Sequence, residues 1–147
     1  DPKIDLSGVD VARKILILIR ESGVSMEMED IENNCFLPEE CMNTTNNDDF
    51  FKSLLKNESH FNQLLAEAKE KDSRIKFVAQ YDNGKASVGL QFIPKESPFY
   101  NLEGKDNIVQ FFTERYVDQP LLIKGAGAGA AVTASGIFAD VIRIGNV

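Results

Sequence analysis

The sequence has no tryptophan, one histidine (His60) and two cysteines, Cys35 and Cys41. So few nitrogen and sulfur donors give no convincing zinc ligand set, and no metal site is expected. A single histidine without a serine or cysteine partner pattern also argues against a nucleophilic triad, so His60 is read as structural or solvated. Two thiols with no wider cysteine framework fit a reduced, cytoplasmic protein in which both are packing or incidental groups. Basic residues are the minority, 16 Lys and Arg against 23 Asp and Glu, for a net charge of −7. That balance disfavours a phosphate-backbone binder, which needs a basic face, but it allows a local basic pocket for a phosphorylated cofactor. The apolar run Ile15–Ile19 is far too short to span a bilayer, and no signal peptide is expected. Neither nucleic acid nor membrane is expected as a partner. Nothing repeats, and no linker stands out. The chain opens on Asp1-Pro2 without a methionine, and reads as a piece of a longer protein.

What is there is a soluble globular composition, 43% apolar and 27% charged over 147 residues, enough for one domain with a sizeable core. The most informative stretch runs from Asp5 to Ile19. Ser7 is a suitable N-cap, and Asp10 three residues later gives a capping-box-like pattern. Val11, Ala12, Ile15, Leu16, Leu18 and Ile19 share a broad apolar face at helical spacing. Asp10 and Lys14 stand one turn apart, with the acid on the N-terminal side, which is the favoured order. Two readings of this pair remain open. It is a solvated ion pair, or, because Ile17 falls within the same stripe, it is partly desolvated and tuned for proton transfer.

Ser22-Gly23 should close this helix, and Val24–Met28 alternates like a short strand. Asp30 to Leu37 leads to Pro38, and the polar region on to Asn47 reads as loop. A helix capped by Asn47 or Asp48 carries Phe50, Phe51, Leu54 and Leu55, and another capped by Ser59 carries Phe61, Leu64, Leu65 and Ala68. From Arg74 the period changes to two. Asp82-Asn-Gly84 joins two alternating runs ending near Ile93, which predicts an antiparallel hairpin. Pro94 and Pro98 mark a loop, followed by strands over 107–113 and 120–124.

Gly125-Ala-Gly-Ala-Gly129 then separates an apolar strand from the helical pattern beginning at Ala130. Strand, glycine-rich turn and helix start is a geometry that lets backbone N–H groups approach a phosphate. It is not the usual G-x-G-x-x-G, and small residues serving tight helix–sheet packing explain it equally well.

Taken together, Asp5-Leu-Ser-Gly-Val-Asp-Val-Ala-Arg-Lys14, Ser97-Pro-Phe-Tyr-Asn-Leu-Glu-Gly104 and Gly125-Ala-Gly-Ala-Gly129-Ala-Ala-Val-Thr-Ala-Ser-Gly136 resemble the homoserine dehydrogenases, over essentially the whole chain. The resemblance implies an α+β fold: a mixed, largely antiparallel sheet with helices packed on one face, without the Rossmann half. It implies that residues 1–124 form the catalytic, substrate-binding and dimerisation region, and that 125–147 return to a nucleotide-binding domain. The family interconverts homoserine and aspartate 4-semialdehyde with NAD or NADP, in threonine, methionine and isoleucine biosynthesis. By resemblance Lys14 is the catalytic acid/base, Asp5 and Asp10 bind or order the substrate end, and Gly129 lies beside the nucleotide. A homodimer is implied, and the ending fits a fungal-type enzyme or the C-terminal end of a fused aspartokinase–homoserine dehydrogenase, the fusion being favoured.

Two departures limit what the chain does alone. The family's glutamate preceding Asp1-Pro2 is absent, together with the N-terminal half that holds most of the cofactor, and Ile4 replaces a second acid found in some relatives. The fragment is therefore expected to be inactive by itself. The competing expectation is a non-catalytic α+β dimerisation or assembly module.

Overall fold

The computed structural model describes residues 1–146 and divides into two compact units, the first spanning Asp1–Tyr100 and the second beginning at Asn101. The α+β class expected from the sequence holds, but the strands form two separate sheets.

In the first unit, Asp1 caps a short helix α1 (Pro2–Leu6), its carboxylate accepting from the Lys3 N–H at 2.9 Å, with Pro2 at the start of the first turn. Ser7 does not begin the next helix as expected. It closes α1, and its hydroxyl donates to the Ile4 carbonyl at 3.0 Å. Helix α2 (Val9–Glu21) is capped instead by Gly8, at φ +84°. Glycine enters this left-handed region at little cost, and here it turns the chain between two helices. A Cβ at Gly8 would also stand 2.5 Å from the Phe77 ring. The sequence hid this break because Ser-Gly reads as easily as a start as an elbow.

Ala12, Leu16 and Ile19 of α2 are buried at i, i+4, i+7 spacing. They meet Met26, Ile31, Ala86 and Val88 in the main core, flanked by Phe77, Ala79 and Tyr81. Each large aliphatic side chain buried there is worth about 1.5–3 kcal/mol.

The strand expected over Val24–Met28 is absent. Arg20 Nε takes the Met26 carbonyl at 2.9 Å, a group that a strand would need for pairing, while the Met26 side chain sits in the core. After a single 3-10 turn, strand β1 (Ile31–Asn34) forms where no element was expected, parallel to β3 (Lys85–Pro94) in the register Ile31↔Ala86 to Asn34↔Gly89. Only Ile31 of its four residues is buried, so it carries no local strand signature. A further short helix, α3 (Glu39–Met42), follows Pro38.

Helices α4 (Asn47–Lys56) and α5 (Glu58–Glu70) follow the expected periodicity, with caps shifted by one or two residues. Asn46 caps α4 by accepting from the Asp49 N–H at 2.9 Å, and Asn57 links the two helices. Leu37, Cys41 and Phe50 form a second core, with Cys35, Phe36, Met42, Leu54 and Phe61 around it. Both cysteines are free thiols, as expected, and Ser53 donates to the buried Cys41 Sγ at 3.2 Å. His60 is structural: its Nε2 lies 2.8 Å from the Phe36 carbonyl.

The predicted hairpin is β2 (Ser73–Asp82) and β3 (Lys85–Pro94), paired from Ser73↔Pro94 to Asp82↔Lys85. Asn83 at φ +48° and Gly84 at φ +79° make the tight turn. Phe77 opposite Leu90, Ala79 opposite Val88 and Tyr81 opposite Ala86 present one face, which α2 covers.

In the second unit, β4 (Asp106–Thr113) and β5 (Tyr116–Ala126) form a two-stranded antiparallel sheet, followed by α6 (Ala130–Gly145). Strand β5 is longer than expected and takes in Pro120 and Gly125; proline is tolerated because a two-stranded ribbon has only edge strands. None of the described residues of this unit is buried, and Leu121, Leu122 and Ile123 of β5 and Ile137, Phe138, Val141 and Ile144 of α6 are exposed.

Candidate functional site

Asp10 and Lys14 are brought together on the outer face of α2, with Asp10 Oδ2 2.8 Å from Lys14 Nζ. The helix sets this contact, since residues four apart are surface neighbours. The pair is open: the Lys14 side chain is 58% exposed and that of Asp10 45%. Ile17, one turn on, is itself 61% exposed. The expectation that Ile17 partly desolvates Lys14 is therefore not met in this chain, because an apolar side chain standing in water shields nothing.

Asp5 lies on α1, across the Ser7–Gly8 elbow, and is exposed. Among the described residues no hydrogen bond or ion pair joins it to Asp10 or Lys14. What relates the three residues is the elbow, where Ser7 and Gly8 are both buried. Asn33, from β1, donates its Nδ2–H to the Ser7 carbonyl at 2.9 Å. At the other end of α1, Lys3 Nζ donates to the carbonyls of Met42 (3.2 Å) and Thr44. Sequence reasoning missed Asn33, since it belongs to a segment without an expected element and its partner lies 26 residues away.

The glycine-rich stretch has the expected strand–turn–helix geometry, although its first two residues belong to β5. The Gly127 N–H donates to the Lys105 carbonyl at 2.9 Å, and a Cβ on Gly127 would collide with the Asn107 side chain. Packing thus explains Gly127. It does not explain Gly125 or Gly129, where a Cβ would meet nothing within 4 Å. Gly129 is needed for its backbone, at φ +138°, and it opens α6 without a side-chain cap or an acidic residue in the first turn. A helix start of that kind leaves N–H groups and the positive end of the helix dipole for an anion.

An acid–base pair on one element and an uncapped helix start after a glycine turn suit proton transfer and phosphate contact respectively. The family model for homoserine dehydrogenase matches residues 1–142. The chain belongs to the homoserine dehydrogenase family.

Among similar proteins, the chloroplastic bifunctional aspartokinase/homoserine dehydrogenase 2 of Arabidopsis thaliana is 40% identical over 148 residues, covering 99% of this chain and 16% of that protein. The homoserine dehydrogenase of Schizosaccharomyces pombe is 40% identical over 147 residues, covering 98% of this chain and 39% of that protein. A crystal structure of a Candida auris protein of unknown function superposes with a TM-score of 0.86 at 36% identity, covering 99% of this chain and 41% of that one. The chain thus spans about two-fifths of the Schizosaccharomyces homoserine dehydrogenase and about one-sixth of the Arabidopsis bifunctional enzyme.

Proposed function

We propose that this chain is the substrate-binding and subunit-pairing part of an enzyme that interconverts L-homoserine and L-aspartate 4-semialdehyde with NAD or NADP. The observation that carries the reading is the Asp10–Lys14 pair, 2.8 Å apart on α2 in a chain of this family. Residues 1–124 hold the substrate and pair the subunits, while 125–147 return to a nucleotide-binding domain outside this chain. The open, positive-φ Gly129 and the uncapped start of α6 fit a dinucleotide lying against them.

The nicotinamide, when bound, supplies or accepts the hydride. The chain's own side chains handle the proton and the substrate's charge. In reduction, the Lys14 ammonium gives its proton to the aldehyde oxygen as that oxygen gains negative charge, and it stabilises the developing alkoxide. In oxidation, neutral Lys14 takes the hydroxyl proton from homoserine. Asp10 keeps the Lys14 amine oriented, and the carboxylates of Asp5 and Asp10 suit the substrate's ammonium group through charge-assisted hydrogen bonds. The exposure of Lys14 in this chain supports a site completed by the cofactor-binding half, where closure excludes water and strengthens these interactions. The fragment alone is accordingly inactive. The intact enzyme is a cytoplasmic homodimer of the threonine, methionine and isoleucine routes, with aspartokinase fused upstream as in the bifunctional relatives.

A second reading, a non-catalytic dimerisation or assembly module, is favoured for the isolated fragment by the exposed apolar residues of β5 and α6. Homoserine-dependent reduction of NAD(P)⁺, measured on the fragment and on the full-length gene product, separates the two readings. Activity confined to the full-length protein supports the dehydrogenase reading. A folded, cofactor-binding full-length protein without activity leaves only the assembly module.

A further inference from the structure

We propose that Asn33 is a positioning residue of the substrate site, acting through the Ser7–Gly8 elbow. The inference rests on the reading that Asp5, Asp10 and Lys14 receive homoserine.

Asp5 sits on α1, and Asp10 and Lys14 sit on α2, so one substrate meets all three only if the angle between the two helices is fixed. Two consecutive residues set that angle. Gly8 at φ +84° is the conformationally freest residue type in the chain and would let α1 swing if nothing held it. The Ser7 carbonyl also ends α1, where helix carbonyls lose their intrahelical partners. Asn33 supplies the missing donor at 2.9 Å, from a strand that is itself fixed to β3 by pairing through Ile31↔Ala86 and Asn33↔Val88. Its Oδ1 also lies 2.9 Å from where a Cβ on Gly8 would stand, and the Phe77 ring lies 2.5 Å from the same point. The two Lys3 bonds, to the Met42 and Thr44 carbonyls, hold the far end of α1. Helix α1 is thus pinned at both ends to the body of the unit. Asn33 holds the end of α1 that adjoins α2, and among the described residues no hydrogen bond or ion pair joins it to Asp5, Asp10 or Lys14.

The test uses the full-length protein with Asn33→Asp and Asn33→Ala. Asp keeps the size but presents an oxygen to the Ser7 carbonyl, so it opposes the contact, whereas Ala only removes it. Asn33 is exposed on an edge strand, so the Ala variant has little core to disturb. The expected result is a fall of about tenfold or more in kcat/KM for homoserine, larger for Asp than for Ala, because misplacing a catalytic group by about an ångström is that costly. The KM for the nicotinamide cofactor should stay within about twofold, and cofactor binding followed by fluorescence should confirm the fold. Homoserine kinetics unchanged in both variants, or equal losses for homoserine and cofactor, overturn the positioning role. A wild-type protein inactive on homoserine overturns the underlying reading instead, so the two failures are distinguishable.

Discussion

Lys14 Nζ lies 2.8 Å from Asp10 Oδ2, one helical turn away, and both side chains stand about half in solvent. That exposure separates folding from function. An exposed i, i+4 pair contributes about 0.3–0.5 kcal/mol, so Asp10→Asn should change stability by no more than about 0.5 kcal/mol in chemical denaturation. In the full-length protein the same substitution removes a charge-assisted contact to the substrate side, and kcat/KM for homoserine should fall by about tenfold or more. A variant that loses stability and activity in proportion would mark Asp10 as structural.

The contact between Gly127 and Asn107 makes a pairwise prediction. Gly127→Ala places a methyl group into the Asn107 side chain and should raise the KM for the nicotinamide cofactor several-fold by displacing the turn that leads to Gly129. Asn107→Ala in the same protein removes the obstacle and should restore most of the loss, a coupling of about 0.5–3 kcal/mol in a double-mutant cycle. Additive effects would show that the turn does not depend on this contact.

Acid stability should depend on the start of α4. The Asn46 amide beside Asp49, and then Lys52, hold the Asp49 carboxyl below the usual carboxylate range. A carboxyl whose pKa is lowered on folding adds stability above its unfolded value, and that contribution is lost as pH falls through the folded value. Asn46→Ala should cost about 1 kcal/mol at neutral pH as a lost cap. It should also flatten the decline in stability below about pH 4, where unfolded carboxylates titrate. Unfolding curves at several pH values check both effects, and an unchanged acid slope would remove Asn46 from the account.

The parts of the fold written in local patterns were legible. The hairpin announces itself through alternating residues and Asn83-Gly84, and α2, α4 and α5 through their apolar spacing. Strand β1 was not legible, because its polar Glu32, Asn33 and Asn34 form a strand only by pairing with β3, more than fifty residues later. The Ser7–Gly8 elbow was misread because local sequence cannot tell which helix a serine caps when one ends where the next begins. The site divides in the same way. Asp10 and Lys14 are neighbours by helix geometry alone, and the glycines before α6 follow a recognisable strand-to-helix change. Asn33 and Asn107 act on residues distant in the chain, and only the folded arrangement reveals them.

The proposed role of Lys14 is to carry the proton in a homoserine–aspartate semialdehyde interconversion. Its most direct test is the turnover of homoserine with NAD(P)⁺ by the full-length protein, wild type beside Lys14→Ala, with cofactor binding as the control for folding. The expected result is a fall in kcat of about a hundredfold or more, the usual scale for a lost general acid–base group, with cofactor affinity retained. Near-normal turnover in the variant would contradict it and reduce Lys14 to an exposed structural charge.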